Sequence, residues 1–317
     1  MWKRVRGRTD KGTIRKVQVK FLYFTDSHLR LSRPTSRIDE DFLELEFNKL
    51  REVFAIAEKE SVTFILFGGD LFDRVKPEFK LVNAVVAIFK KNIIPFYAVA
   101  GNHDLVGYQL KTIENTAFWN LVEAGLITYI SEEEDNIFGL KVKGIPFSST
   151  HDFNYVFEKP YDVVISHNMI VPTVVPFSHM TVQNIKSNVP LILCGHYHSS
   201  FTAKVGETKV INPGALLRMD AIESEIQRSP QVLIVDTLAN KFKFVKLTCA
   251  QEGIKVFDMA KIQTVAESYS RFFSSLDSVK MRSFVISDVI KQLGIELGQD
   301  AINEALKRIG EAETNYA

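Results

Sequence analysis

The sequence predicts an α+β protein in which packed sheets are flanked by helices, ending in a short, mainly helical segment. Three observations predict it. Short apolar strands alternate with amphipathic helices from Val17 to Glu123. Strands then follow one another as far as Leu247, and beyond it apolar residues recur at helical spacing. That order favours sheets covered by helices. The chain has 317 residues, 46% hydrophobic and 24% charged, close to soluble globular averages and long enough to bury a core without staples. Disordered, fibrous and disulfide-scaffold classes are excluded. Two cysteines, Cys194 and Cys249, point to a reducing compartment. No apolar run reaches about 18 residues, so no transmembrane helix is expected. The basic start lacks an apolar stretch and a cleavage site, so no secretory signal is expected either.

The elements follow from local pattern. Val17–Phe24 alternates and then runs apolar, as a strand entering a core does. Arg37–Glu60 reads as a helix with Leu43, Phe47, Leu50, Phe54 and Ala57 on one face. Thr63–Phe67 is a short buried strand. Pro77–Lys91 is a helix, with Pro77 in its first turn and Val82, Val85, Val86 and Phe89 on one face. Phe96–Ala100 is a strand and Leu110–Glu123 a helix. Ile137–Phe147, Asp162–Ile165, Leu191–Cys194, Lys209–Ile211, Val232–Asp236 and Lys241–Leu247 all read as strands. Two helices follow within 283–312, one with Ile286, Val289, Ile290 and Leu293, the other with Ile302, Ala305, Leu306 and Ile309.

The net charge of +1 hides an asymmetry. Residues 1–20 hold eight basic side chains against Asp10, a net +7, which leaves −6 on the remainder. A basic arm of this kind, with Arg4, Arg6 and Arg8 at its centre, suits contact with nucleic acid; a solvated tail is the plain alternative.

Polar, metal-binding residue types gather at strand ends. Asp26-Ser27-His28 follows Phe24, Gly68-Gly69-Asp70-Leu71-Phe72-Asp73 follows Phe67, and Gly101-Asn102-His103-Asp104 follows Ala100. Ser166-His167-Asn168 and Gly195-His196-Tyr197-His198 follow two later strands. Ligands of α/β sheets bind beyond the carboxyl ends of strands, so these residues should converge. Five of the seven histidines lie in these clusters. A lone histidine is more often structural, but burying five of them with Asp26, Asp70 and Asn102 needs compensation, and a metal pair supplies it. Mixed imidazole, carboxylate and amide donors suit Mn, Fe or Zn in a catalytic site. Asp-x-His and His-x-His have period two, so on extended backbone both members would face one site. Two ions about 4 Å apart would clamp the attacking and leaving oxygens of a phosphoryl displacement. His151 and His179 read as loop or surface residues, and Cys194 as a small packed residue.

The ordered set Asp-x-His, Gly-Asp-x-x-Asp, Gly-Asn-His-Asp, His and Gly-His-x-His resembles the calcineurin-like metallophosphoesterase superfamily. The wording Gly-Gly-Asp-Leu-Phe-Asp, Gly-Asn-His-Asp and Asn212-Pro213-Gly214-Ala215-Leu216-Leu217-Arg218 is most similar to the SbcD-type recombination nuclease family, phage members included. The resemblance implies a four-layer α/β/β/α sandwich over 17–248, after a basic arm at 1–16 and before a reduced capping or helical partner-binding segment at 249–317. It implies two divalent ions, preferably Mn2+, with Mg2+, Fe2+ or Zn2+ as alternatives. Asp26, His28 and His198 would hold the first ion, Asn102, His167 and His196 the second, and Asp70 would bridge them. His103 would contact the phosphate and assist the leaving oxygen, with Asp104 orienting it. The implied activity is exo- and endonucleolytic hydrolysis of DNA by a cytoplasmic homodimer (host cytoplasm for a phage chain) docked on an SbcC-type coiled-coil ATPase. Three alternatives stand beside it. A nucleotide or small-molecule phosphodiesterase would need neither arm nor partner helices. A serine/threonine protein phosphatase is suggested by Asp73-Arg74. A non-catalytic DNA-binding scaffold would be expected to lack a ligand, and no expected position is substituted.

Overall fold

The computed structural model describes residues 19–130, 134–148, 156–157, 161–175, 179–219 and 221–258, all within the unit Met1–Met259. The basic arm and the two helices expected within 283–312 lie outside the described residues.

Two mixed sheets carry the architecture. Their strands, in chain order, are β1 Lys20–Phe24, β2 Phe64–Phe67, β3 Phe96–Ala98, β4 Thr128–Tyr129, β5 Glu134–Ile137, β6 Leu140–Ile145, β7 Val163–Ser166, β8 Leu191–Cys194, β9 Phe201–Val205, β10 Thr208–Asn212, β11 Gln231–Asp236 and β12 Lys241–Lys246. The first sheet runs β12-β11-β1-β2-β3-β4 and the second β9-β10-β8-β7-β6-β5. β1 to β4 are parallel, as are β6, β7, β8 and β10; the outer strands β5, β9 and β12 pair antiparallel to their neighbours. Helices α1 Phe42–Lys59, α2 Phe79–Phe89 and α3 Ala117–Glu123 supply crossovers of the first sheet; α4 Glu223–Gln227 and α5 Gly253–Val256 are single turns.

The central strands β2, β7 and β8 are buried at every residue, because both faces of each sheet are covered. Side chains alternate between two layers. Phe21, Tyr23, Phe64 and Leu66 meet Val163, Ile165, Leu191 and Leu193 between the sheets. Leu22, Phe24, Ile65 and Phe67 face the helices, packing with Leu50, Val53, Val85 and Phe118. Val164, Ile192 and Cys194 pack outward against Ile170, Met180 and Val182. The result is the sandwich of sheets with flanking helices that the sequence predicts. Register then matters: Phe24 is level with Phe67, and Ser166 with Cys194. Neighbouring strands in each sheet therefore end together and deliver their loops side by side. No helix among the described residues is long and apolar enough to cross a membrane.

Several elements differ from their expected bounds, each for a local reason. The first helix begins at Phe42. Residues 37–39 are drawn elsewhere, by the paired Arg37 and Asp39 side chains and by Ile38, whose amide donates to Val256. Leu110–Glu123 is two pieces, a 3-10 segment Leu110–Asn115 and α3. Extended Thr116 separates them and caps α3, its hydroxyl accepting from the Trp119 amide. The Ile137–Phe147 strand is broken by Phe138 and Gly139, both at positive φ, into β5 and β6. β9 was not expected; it is an edge strand of alternating half-buried and exposed residues, with no apolar run to reveal it.

Candidate metal centre

The loops after β1, β2, β3, β7 and β8 meet at one place, and backbone hydrogen bonds hold them there. The Asp26 amide donates to Gly69 O and His28 N to Asp70 O, each at 3.0 Å, while Gly195 N donates to Ser166 O at 2.9 Å. His196 N reaches the Asp26 carboxylate at 3.1 Å. The side chains form two main groups, each with ligand atoms within 4.8 Å of one another: Asp26, His28 and His198, and Asp70, His167 and His196. A third, His28, Asp70 and His103, overlaps both. Asp70 Oδ2 lies 3.6 Å from His28 Nε2 and 3.1 Å from His167 Nε2, so it stands between the groups. Asn102 lies at the same strand ends, with its Oδ1 buried and without a hydrogen-bond partner.

The mechanism of convergence differs from the expected one. Asp26, His28, Asp70 and His196 all have positive φ, between 41° and 66°. They turn into the site on left-handed backbone instead of alternating along an extended strand. Such residues cost about 1–3 kcal/mol each and persist only where the surroundings over-determine them. Glycines make the crowding possible. A Cβ on Gly101 would lie 2.1 Å from Asp70 Oδ1.

The electrostatics call for cations. Asp26, His28, Asp70 and His167 are essentially inaccessible to water. Burial opposes charge on Asp26 and Asp70, but His167 and His28 together outweigh it and hold both low, Asp26 at about 2. Burial likewise opposes charge on His167, yet Asp70 and Asp26 push it up to about 10. Burial and then His167 push His196 down to about 4, and burial and then His28 push His198 down to about 3. Those two imidazoles stay neutral at pH 7 and ready to ligate, whereas His167 would have to release its proton to take up an ion. His167 Nδ1 donates to the Gly68 carbonyl, which leaves Nε2 to face Asp70. Both that Nε2 atom, 3.1 Å from Asp70 Oδ2, and the Asn102 Oδ1 acceptor are buried without a well-formed hydrogen bond. Orphaned atoms of this kind, in a His, Asp and Asn donor set, fit a pair of divalent ions.

His103 and Asp104 are placed apart. The His103 amide donates to Asp70 Oδ1 at 2.8 Å, and its ring stands 4.7 Å from that of His28. The expected Asp104–His103 pairing is replaced. His103 Nδ1 donates to the Asp73 carbonyl at 2.8 Å, leaving Nε2 free. Asp104 turns inward instead and accepts from the amides of Asp70, Gly101 and Leu71 at 2.8, 2.9 and 3.3 Å. Burial, then the charge of Asp70, pushes Asp104 up to about 7. Asp73 is thus a site residue that pattern reading left without a role. Its carbonyl fixes the His103 tautomer, and its carboxylate pairs with Arg30 at 3.1 Å. Its place in Gly-Asp-x-x-Asp was the available signal. Arg4, Arg6 and Arg8 lie outside the described residues.

Comparison with known proteins agrees with this geometry. The calcineurin-like phosphoesterase family matches residues 19–200, more than half of the chain. The DNA double-strand break repair protein Mre11 of Methanosarcina mazei is 24% identical over 280 residues, covering 82% of this chain and 43% of its own. The double-strand break repair protein MRE11 of Encephalitozoon cuniculi is 23% identical over 257 residues, covering 65% of this chain and 43% of its own. The chain thus spans less than half the length of these relatives. A solved archaeal phosphodiesterase is 16% identical with a TM-score of 0.40, covering 72% of this chain and 99% of its own. The match over the strand-end motifs, together with the His/Asp clusters those motifs build, places the chain: it belongs to the calcineurin-like phosphoesterase family, as a metal-dependent phosphoesterase distantly similar to Mre11.

Proposed function

We propose that the protein is a two-metal DNA nuclease, the hydrolytic subunit of a recombination or repair complex of the SbcCD type. The convergence of two His/Asp groups on Asp70, with buried donors left open, is the observation that carries it. Asp26, His28 and His198 would hold one ion and Asn102, His167 and His196 the other, with Asp70 between the two groups. Such ions, when bound, neutralise charge developing on phosphate and acidify water. The protein's own groups do the rest. Asp70, fixed by its bond from the His103 amide, sets the separation of the two sites. His103, with Nδ1–H committed to Asp73, presents Nε2 to the phosphate, and with both ring nitrogens protonated it gives the Nε2 proton to the departing oxygen and keeps the one on Nδ1. Asp104 steadies the turn at Asp70 rather than the His103 ring. Similarity to Mre11 proteins supports DNA over a nucleotide or a phosphoprotein as substrate.

The test offers single-stranded DNA, duplex DNA, bis-p-nitrophenyl phosphate and a phosphopeptide, with Mn2+, Mg2+ or chelator. DNA cleavage that needs Mn2+ and falls about 10²–10⁴-fold in His103→Ala is expected. Activity confined to the phosphopeptide or the small diester would overturn the nuclease reading. The partners belong to the same proposal. The basic arm around Arg4, Arg6 and Arg8 follows the DNA backbone, and the apolar faces within 283–312 dock a dimer onto a coiled-coil ATPase. Deleting 1–16 should flatten the salt dependence of DNA binding, and deleting 280–317 should abolish co-purification with such an ATPase; an unchanged result in either removes that part.

A further inference from the structure

The segment that leaves β10 ties two site loops together. Ala215 N donates to His198 O at 3.0 Å, Leu216 N to Asp26 O at 3.0 Å, and Leu217 N to Asp26 O at 3.3 Å. Asn212 closes one end, donating from Nδ2 to Tyr197 O and accepting from Gly214 N, both at 2.7 Å. Gly214 sits at φ +85°, and a Cβ there would lie 2.9 Å from the His198 carbonyl oxygen. The backbone amides of this strap thus hold the loop of Asp26 against the loop of His198.

Its carbonyls are held from behind by side chains. Arg228 donates to both Ala215 O and Leu217 O, the latter at 2.6 Å. Lys49 Nζ reaches Leu216 O at 3.3 Å, Arg37 Nη1 reaches Arg218 O at 2.9 Å, and Ser36 Oγ reaches Met219 O at 2.6 Å. Every carbonyl from Ala215 to Met219 therefore has a side-chain donor. The charged donors are paired in turn. Arg228 forks onto Glu225, with Nη2–Oε2 at 2.7 Å; Arg37 forks onto Asp39, at 2.7 and 2.8 Å; Lys49 meets Glu46 at 2.8 Å. Arg37, Asp39, Glu46, Lys49 and Glu225 are all buried. Buried ion pairs add little net stability over well-packed apolar residues. What this network does supply is direction, since its cations end on successive carbonyls of one strap. Arg228 alone grips two of them, on either side of Leu216.

We propose that Arg228, oriented by Glu225, is a positioning residue for the group Asp26, His28 and His198, acting through the Ala215 and Leu217 carbonyls to fix the spacing of the two loops. That role rests on the reading that these three side chains hold one of two ions. Arg228 hydrogen-bonds to the strap and Glu225 and to none of these three side chains, of which only His198 feels its charge, so its loss should loosen one metal site and spare the one built on Asn102, His167 and His196.

The experiment titrates Mn2+ into the full chain by calorimetry, with electron paramagnetic resonance to separate coupled from isolated ions and the melting temperature of the metal-free protein recorded alongside. Wild type should bind two ions. Arg228→Met with Glu225→Gln, which leaves no lone buried charge, should keep one site at wild-type affinity and weaken the other about 10–100-fold, as lost outer-shell support does. Arg228→Lys should recover part of the loss. Ser36→Ala and Lys49→Met, each removing a single strap donor, should weaken the same site by less, and they carry the test if the double variant does not fold. Two ions at wild-type affinity in the double variant, or equal weakening of both sites, would overturn the proposal. Fewer than two ions in wild type, or two in Asp26→Asn, would instead overturn the two-metal reading beneath it.

Discussion

Asp70 shows how much a single residue is asked to do here. It is buried and left-handed at φ 59°; its amide is held by Asp104, and its carboxylate lies against His28, His167 and the His103 amide. The motif made Asp70 visible, and the five strand-end histidines were visible for the same reason: polar residues directly after apolar runs have few structural uses. The backbone angles that aim Asp26, His28 and His196 inward were not visible, because φ at a non-glycine residue leaves no mark on composition. Asp104 was misread for a related reason. Adjacency to His103 suggested a pair, but the 3-10 turn Asn102–Asp104 sends the two side chains to different neighbours. Gly101 is where this crowding can be tested. A methyl group there would meet Asp70 Oδ1 at 2.1 Å and the Asp70 amide at 2.6 Å, and backbone cannot step aside as a flexible side chain can. Gly101→Ala should therefore weaken Mn2+ binding about 10–100-fold while leaving the circular dichroism spectrum intact. Unchanged binding in a calorimetric titration would mean that Asp70 does not need its present position.

Strands buried on both faces declared themselves as short apolar runs, and Leu191–Cys194 matched its expected bounds residue for residue. Elements with one exposed face did not. β9 alternates weakly, and residues 110–115 take 3-10 geometry that apolar spacing cannot distinguish from the α-helix that follows. The buried charges of α1 were also hidden. Glu46 and Lys49 are buried because they pair with each other, with Arg37 beside Glu46 and the strap carbonyl of Leu216 accepting from Lys49. The layer between the first sheet and its helices rests on aromatic packing centred on Phe96. Its ring lies 4.9 Å from Phe89, 5.8 Å from Phe67, 6.0 Å from Phe24 and 6.2 Å from Phe54, and the residue is 3% exposed. Phe96→Ala removes a ring from a place that four elements enclose, where collapse is difficult. Destabilisation of about 3–5 kcal/mol is expected, read as a shift of the denaturant midpoint at constant slope. A cost below about 1 kcal/mol would mean that α1 and α2 close over the gap.

At the scale of the two sheets, five loops are brought to one site, and buried carboxylates meet there. Asp26 and Asp70 are inaccessible carboxylates on facing loops, and His167 lies 3.9 Å from one and 3.1 Å from the other. Cations between these groups stabilise the fold by binding the native state and not the unfolded chain. Adding Mn2+ to metal-free protein should therefore raise the melting temperature continuously with concentration. At one hundred times the dissociation constant the gain is about 2.7 kcal/mol per site, and chelator should reverse it. Asp70→Asn separates this effect from general ion binding. The variant takes away the main partner of the buried His167 imidazolium, so its metal-free form should melt below metal-free wild type, and the comparison rests on the gain each protein shows when Mn2+ is added. The variant also removes the group shared by the two sites, so Mn2+ should give it little of the wild-type gain. A melting temperature indifferent to Mn2+ in wild type, or an equal gain in Asp70→Asn, would mean that the convergence of the two sheets is not what the ions stabilise.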